Sequence, residues 1–372
     1  MRIAVLGLGG VGTAAARFLA AAGHQVVGFE RFHLDHDRGS SYGGSRIIRK
    51  VYPDALYASL MELAYPLWHA LERESGESLF LRCGGFFFGP EGHPEMAATE
   101  GALQQVGVPY ERLSAGQAHE RFTPFRLRPD EYGIFEPESG LLRASRCVLA
   151  NARGARALGA ELREGAQVEA LEPSNAGVSL RVDGRPETFD RVVVTAGPWT
   201  GGLLAPWVRL PLQVTRQQYA HFEIRGDRAA FAPERFPVWI DMAELCYGFP
   251  EHDDIPGAKI AYHVPGTPHD PDSPDRETHP EDDQALRAYA ERRLPAATGP
   301  VTFHKVCLYT MTPDEDFIVD RLPDEPRVVY VGGLSGHGFK FTVLLGQLAA
   351  TLAQDQEPAH DPSRFRLDRF NR

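Results

Sequence analysis

Three glycine-rich turns carry most of the side chains in this sequence that could do chemistry. In the first, "GLGGVG", Gly7, Gly9 and Gly12 follow the apolar run Ile3–Leu6 and precede an alanine-rich stretch. Glu30 ends the next apolar run, Gln25–Phe29. Glycines so spaced permit a tight turn, a close approach to a pyrophosphate and close helix–strand packing, while the acid is placed for a ribose hydroxyl. Strand, turn, helix and acid together predict a dinucleotide site. The second turn, "GSSYGGSRIIRK" (Gly39–Lys50), sets Arg46 and Arg49 three apart. On a helical turn that spacing puts both guanidinium groups on one side. They are either a solvated surface pair or, directly after a glycine loop, a holder for a carboxylate or a flavin edge. The third, "GGLSGHGFKF" (Gly332–Phe341), places Gly336, His337, Gly338 and Lys340 just before a helix. Backbone N–H groups freed by such a turn can approach a flat ring or an anion. Lys340 is either a surface lysine or a cation poised for an anionic ligand.

A cysteine lies outside these turns, in "KVCLYTMTPDEDFIVD" (Lys305–Asp320). Cys307 is either a small buried hydrophobe or a sulfur that reacts. Its own segment leaves both readings open.

The elements that must position these groups follow from periodicity and breakers. Residues 54–74 and 144–158 read as helices, and a further helix is expected near Asp282–Arg293. "SLFLRCGGFFFG" reads as strands with a glycine break, and Asp183-Gly184 as a hairpin turn. The chain opens and closes with strand–turn–helix units. The expected fold is therefore α/β, a discontinuous Rossmann-like domain with a mostly antiparallel β domain inserted twice. Residues 1–85, 145–210 and 301–372 are assigned to the first, and 86–144 and 211–300 to the second.

Composition bounds the function. The 372 residues are 43% hydrophobic and 24% charged, with a net charge of −11, so no general field attracts nucleic acid or an anionic membrane. No apolar run reaches the ~20 residues that span a bilayer. Met1 leads directly into a strand rather than a signal peptide. Cys83, Cys147, Cys246 and Cys307 show neither metal-ligand spacing nor a disulfide framework, so no metal and a reducing, cytoplasmic setting are expected.

Taken in order, "GLGGVG", "GSSYGGSRIIR", "GIFEPESG", "TAGPW", "CYGFP", "AYHVPG", "VCLYTMTPDEDFIVD" and "GGLSGHGFKF" resemble the monomeric sarcosine oxidase and N-methyltryptophan oxidase family. These are flavoproteins of the wider D-amino-acid and glycine oxidase class, and the likeness spans almost the whole chain. It implies FAD, covalently attached through Cys307. It also implies oxidation of a small secondary amino acid by hydride transfer to flavin N5, with imine hydrolysis and hydrogen peroxide formation. By the same resemblance Arg49 and Lys340 hold the substrate carboxylate, while Tyr247, His263 and Ile240 line the substrate cavity. Arg46 lies against the flavin, and Lys259 assists the reaction with oxygen. Gly7, Gly9, Gly12, Glu30, Ser40, Ser41, Ser45, Gly336, His337 and Gly338 surround the cofactor, with Arg46 and Lys340 among them.

Two departures bear on substrate. Tyr42 stands where relatives have a histidine, and "VWIDMAELCYG" is shorter, with Ile240 near a pocket methionine. The expected substrate is an N-methyl amino acid such as sarcosine. A fructosyl or cyclic imino acid, electron transfer to a protein acceptor, and a non-catalytic flavin-binding protein are the alternatives. The expected partners are that small molecule and oxygen, with no nucleic acid or membrane, and a monomer is expected.

Overall fold

A computed structural model describes residues 1–253 and 255–371 of the chain. Its six-stranded sheet runs Ile318–Leu322, Glu325–Gly332, Arg191–Val194, Arg2–Leu6, Gln25–Glu30, Glu161–Glu164. Every neighbouring pair is parallel except the first, which is a hairpin. A parallel sheet must be covered on both faces, and the side-chain period of a strand decides what covers each. Ile3 and Val5 enter a core built with the helices Gly10–Ala21, Ala144–Ala157 and Thr342–Ala353. Ala4 and Leu6 point the other way, onto Leu171, Val178 and Leu180 of a three-stranded meander. The hairpin turn of that meander has Asp183 and Gly184 both at positive φ, 46° and 76°, which the Asp-Gly pair tolerates.

The second sheet is antiparallel apart from one pair, Gly85–Pro90 beside Val238–Asp241. One face buries Phe86, Phe88, Phe125, Trp239 and Tyr289, the last from the helix Pro280–Arg293 laid across it. The Val301–Met311 strand, expected with the nucleotide fold, hydrogen-bonds along the whole of Gln213–Phe222 in this sheet. Its alternation exposes every second residue to the sheet's other face, which looks into a cavity.

The stretch Arg46–Ile48 is a strand, paired with Gly140–Leu142, and not the helical turn expected for it. Residues three apart therefore do not share a side. Arg46 and Arg49 are consequently committed to different surroundings.

Candidate functional site

A single cavity of about 1460 Å³ runs from the first glycine turn to the second sheet. At its nucleotide end the glycines are required by sterics. A Cβ on Gly12 would lie 1.9 Å from the Gly7 carbonyl oxygen, and Gly7 itself has φ +88°. Glu30 is 5% exposed, and its two carboxylate oxygens accept from the backbone N–H groups of Leu8 and Phe32, each at 3.0 Å. Oε1 also lies 3.4 Å from His36 Nε2, and the carboxylate, with lone pairs to spare, lines the cavity. Gly9 precedes the Gly10–Ala21 helix, whose first N–H donates to Ser41 Oγ at 3.0 Å. Ser40 Oγ donates to the Leu308 carbonyl, tying the second turn to the strand of Cys307.

The second turn is folded around its own arginine. Arg46 donates to the carbonyls of Ser45 at 2.8 Å, Ser40 at 2.9 Å and Tyr42 at 2.8 Å. Tyr42 itself packs its ring under Lys305, 4.3 Å from the ammonium. Among the described residues neither Arg46 nor Arg49 meets a carboxylate. Arg49 donates to the Val51 carbonyl and lies 4.1 Å over the Tyr52 ring.

The cavity face of the second sheet follows from strand register. Gln217, Tyr219 and His221 alternate with residues of the opposite face. Cys307 pairs with Gln217 and Lys259 with His221, while Phe249 pairs with Lys259 and Tyr247 with Ile240. Lys259 is 3% exposed and donates to Ser45 O and Oγ, both at 3.2 Å. Its ammonium sits 4.3 Å from the Tyr219 ring centre and 4.6 Å from that of Phe249. Burial, then Arg46, hold its pKa well below the usual lysine range. Burial pushes the Cys307 thiol up, and Arg46 and Lys259 oppose that.

At the far end, His263 Nδ1 lies 3.4 Å from the Tyr309 hydroxyl. Burial, then Arg49 and Lys340, push His263 down to about 4, and burial raises Tyr247 to about 12. Lys340 donates to Tyr52 Oη at 2.8 Å and to the His337 carbonyl at 2.6 Å, with no carboxylate partner among the described residues. Gly336 has φ +76°, and a Cβ there would meet the Tyr309 ring at 2.3 Å.

The structure thus gathers the expected residues around one cavity, Ile240 in its wall, except Gly12, which packs behind the lining against the Gly7 carbonyl. Sequence reasoning missed Tyr52, Tyr219, Tyr309 and His221. Tyr309 was within reach, since it lies two residues beyond Cys307 on one strand and so shares its face. Tyr52, Tyr219 and His221 depend on register and long-range contact, which no local pattern carries.

Residues 2–352 match the family described as FAD dependent oxidoreductase. The chain is 35% identical to the monomeric sarcosine oxidase of Streptomyces avermitilis, over 98% of this chain and 97% of that one. It is 34% identical to the N-methyl-L-tryptophan oxidase of Yersinia pestis, over 98% of both. Among solved structures, NikD, an amino acid oxidase of nikkomycin biosynthesis, superposes with a TM-score of 0.87 at 27% identity, over 98% of this chain and 96% of that one.

Proposed function

The chain belongs to the FAD dependent oxidoreductase family, and on that premise we propose that it is an oxidase of a small secondary amino acid such as sarcosine. It is a flavin-dependent amine oxidase by its homologues. The finer reading, N-dealkylation with oxygen as acceptor and hydrogen peroxide, an aldehyde and the dealkylated amino acid as products, is the proposal.

The residues present fit FAD. The sterically required glycines and the spare lone pairs of Glu30 suit the pyrophosphate and a ribose. The Ser40–Arg46 turn and Gly336–Gly338 suit the ring end, where Cys307 is the proposed point of covalent attachment. When bound, the group supplies a two-electron acceptor for the substrate's C–H bond.

The observation that carries the substrate reading is a pair of basic side chains, Arg49 and Lys340, that reach the cavity without any carboxylate partner among the described residues. Burial, then Arg49, hold the Lys340 pKa well below the ordinary lysine value, and Arg49 is likewise buried, so an anion between them is what would keep both charged. A substrate carboxylate does so, and bidentate or paired contacts fix its orientation as well as its affinity. His263, held neutral, and Tyr247 close the wall around the amine and exclude water from it. Tyr247 keeps its proton at physiological pH and remains a hydrogen-bond donor. Lys259, in its aromatic slot, is the proposed charge that assists oxygen.

Oxygen consumption measured over N-methyl, cyclic and fructosyl amino acids tests the reading. Consumption with sarcosine or another small N-methyl amino acid supports it. Consumption confined to fructosyl or cyclic substrates would transfer the assignment to them, and none with any substrate would leave a dehydrogenase or a binding protein.

A further inference from the structure

We propose that the main-chain carbonyl of Glu315, braced by Arg364 and Arg369 of the C-terminal tail, fixes the tautomer of His337 and through it the direction in which the Tyr52 hydroxyl beside Lys340 donates, with His337 as the positioning residue between them. This rests on the reading of Lys340 as a ligand of the substrate carboxylate.

His337 Nε2 lies 3.1 Å from the Glu315 carbonyl oxygen, and its Nδ1 lies 3.3 Å from the Tyr52 hydroxyl. A carbonyl only accepts, so in the neutral ring Nε2 carries the proton and Nδ1 is left as the acceptor. The ring is neutral, because burial and then Lys340 hold its pKa well below the ordinary histidine value. Tyr52 must therefore donate to Nδ1. Its own pKa is pushed up to about 12 by burial, so the phenol retains that proton. With the hydroxyl hydrogen turned to His337, the Tyr52 oxygen offers Lys340 a lone pair at 2.8 Å. A second ammonium N–H goes to the His337 carbonyl at 2.6 Å. One N–H remains, and the substrate carboxylate is its remaining acceptor.

The opposite tautomer would set a bare Nε2 against the Glu315 carbonyl, two acceptors in contact, and its Nδ1–H would compete with Lys340 for the lone pairs of the Tyr52 oxygen. The polarity of the clamp is thus decided at Glu315.

That carbonyl is held in place at a cost. Glu315 has φ +62°, a left-handed conformation that a residue with a side chain adopts only when its surroundings impose it. The imposition comes from the tail. Arg369 grips Asp314 at 2.7 and 3.1 Å and the Asp316 carbonyl at 3.0 Å. Arg364 holds Asp316 at 2.7 Å, and the Tyr57 hydroxyl donates to the same carboxylate at 2.8 Å. Phe317 and Tyr57 pack on the imidazole, with ring centres 4.7 and 5.1 Å away. Both arginines lie beyond residue 352, where the family match ends. Arg364 borders the cavity itself, whereas Arg369 acts on it only through Asp314 and Asp316.

The test is the dissociation constant of acetate for the holoenzyme, read from the perturbed flavin absorbance, beside the thermal midpoint of each variant. His337→Leu is expected to weaken acetate about tenfold. His337→Gln is expected to stay within about threefold of wild type, because its amide can donate to Glu315 and accept from Tyr52. Arg369→Leu, which removes a grip outside the cavity, is expected to weaken acetate severalfold. A purely structural role would lower the thermal midpoint and leave acetate affinity alone, which would overturn the inference. So would His337→Gln binding no better than His337→Leu. Lys340→Met separates the two layers. If it binds acetate as wild type does, the clamp reading fails and takes the inference with it. If it weakens acetate while His337→Leu does not, the inference alone fails.

Discussion

Lys259 and Cys307 stand on the two strands that flank Gln213–Phe222, and their side chains emerge on the same face of the sheet. Lys259 is opposite His221 and Cys307 opposite Gln217, so the ammonium and the thiol enter one cavity from one wall. Lys259 lowers the thiol against the burial that raises it. One wall thus carries both the proposed attachment point and the proposed oxygen-assisting charge, and each can be tested without the other.

If the sulfur of Cys307 is bonded to the ring, the yellow chromophore stays with the polypeptide through acid or detergent denaturation. Cys307→Ser should release it on the same treatment. Free flavin recovered in full from the wild type would remove the covalent assignment and leave the fold untouched.

Arg49→Ala and Lys340→Ala each remove one partly or fully buried charge-assisted contact, worth roughly 1.5–3 kcal/mol, or about ten- to a hundredfold in binding. Inhibition by small carboxylates should weaken by that order, and substrate KM should rise with it. Unchanged inhibition in both variants would place the substrate elsewhere.

Lys259→Met keeps the length of the side chain and loses its charge. Bleaching of the flavin absorbance by substrate without air should be the less affected step. Recovery of the absorbance in air should slow far more, because a fixed charge stabilises the anion that oxygen becomes on taking its first electron. Removing one such contribution typically costs on the order of 10²–10³ in rate. The wild-type recovery step should also weaken as pH rises, at a pH below the ordinary lysine value, because burial lowers that pKa and only the ammonium carries charge. Rapid mixing of each half separates these outcomes, and equal slowing of both halves would mean the role is wrong.

His221 makes a prediction about stability. It is 3% exposed, and burial, then Lys259, push it from 6.5 down to about 3. Between those values the unfolded chain binds a proton that the folded chain refuses. Its contribution is full above pH 6.5 and is lost on acidification, at up to about 1.4 kcal/mol per pH unit. Urea unfolding between pH 7 and 5 should show stability falling with pH, and His221→Phe should flatten that slope. An unchanged slope would mean the imidazole titrates normally in the fold.

Much of the fold was legible because sterics write it locally. Gly7 and Gly12 sit where any side chain would collide with backbone, and that requirement shows as spacing. The site was legible less evenly. Arg46 and Arg49 were read as neighbours on a helical turn, but Arg46–Ile48 pairs with Gly140–Leu142 nearly a hundred positions away, and pairing decides their directions. The Val301–Met311 strand was placed with the nucleotide fold by its position in the chain, whereas its ladder partner lies in the other sheet. His221 was invisible because its importance is its register with Lys259, a property of two strands and of neither alone.

That misplaced strand bears on how the molecule is assembled. The glycines that suit the phosphates belong to the first sheet, and the proposed attachment thiol belongs to the second. A newly made chain could grip the phosphates as soon as its nucleotide fold closed. The sulfur would come into range only after the antiparallel sheet had formed and docked. Covalent attachment would then be a late event, a chemical receipt issued only to chains whose two halves had met, and a misdocked chain would remain yellow but unlinked.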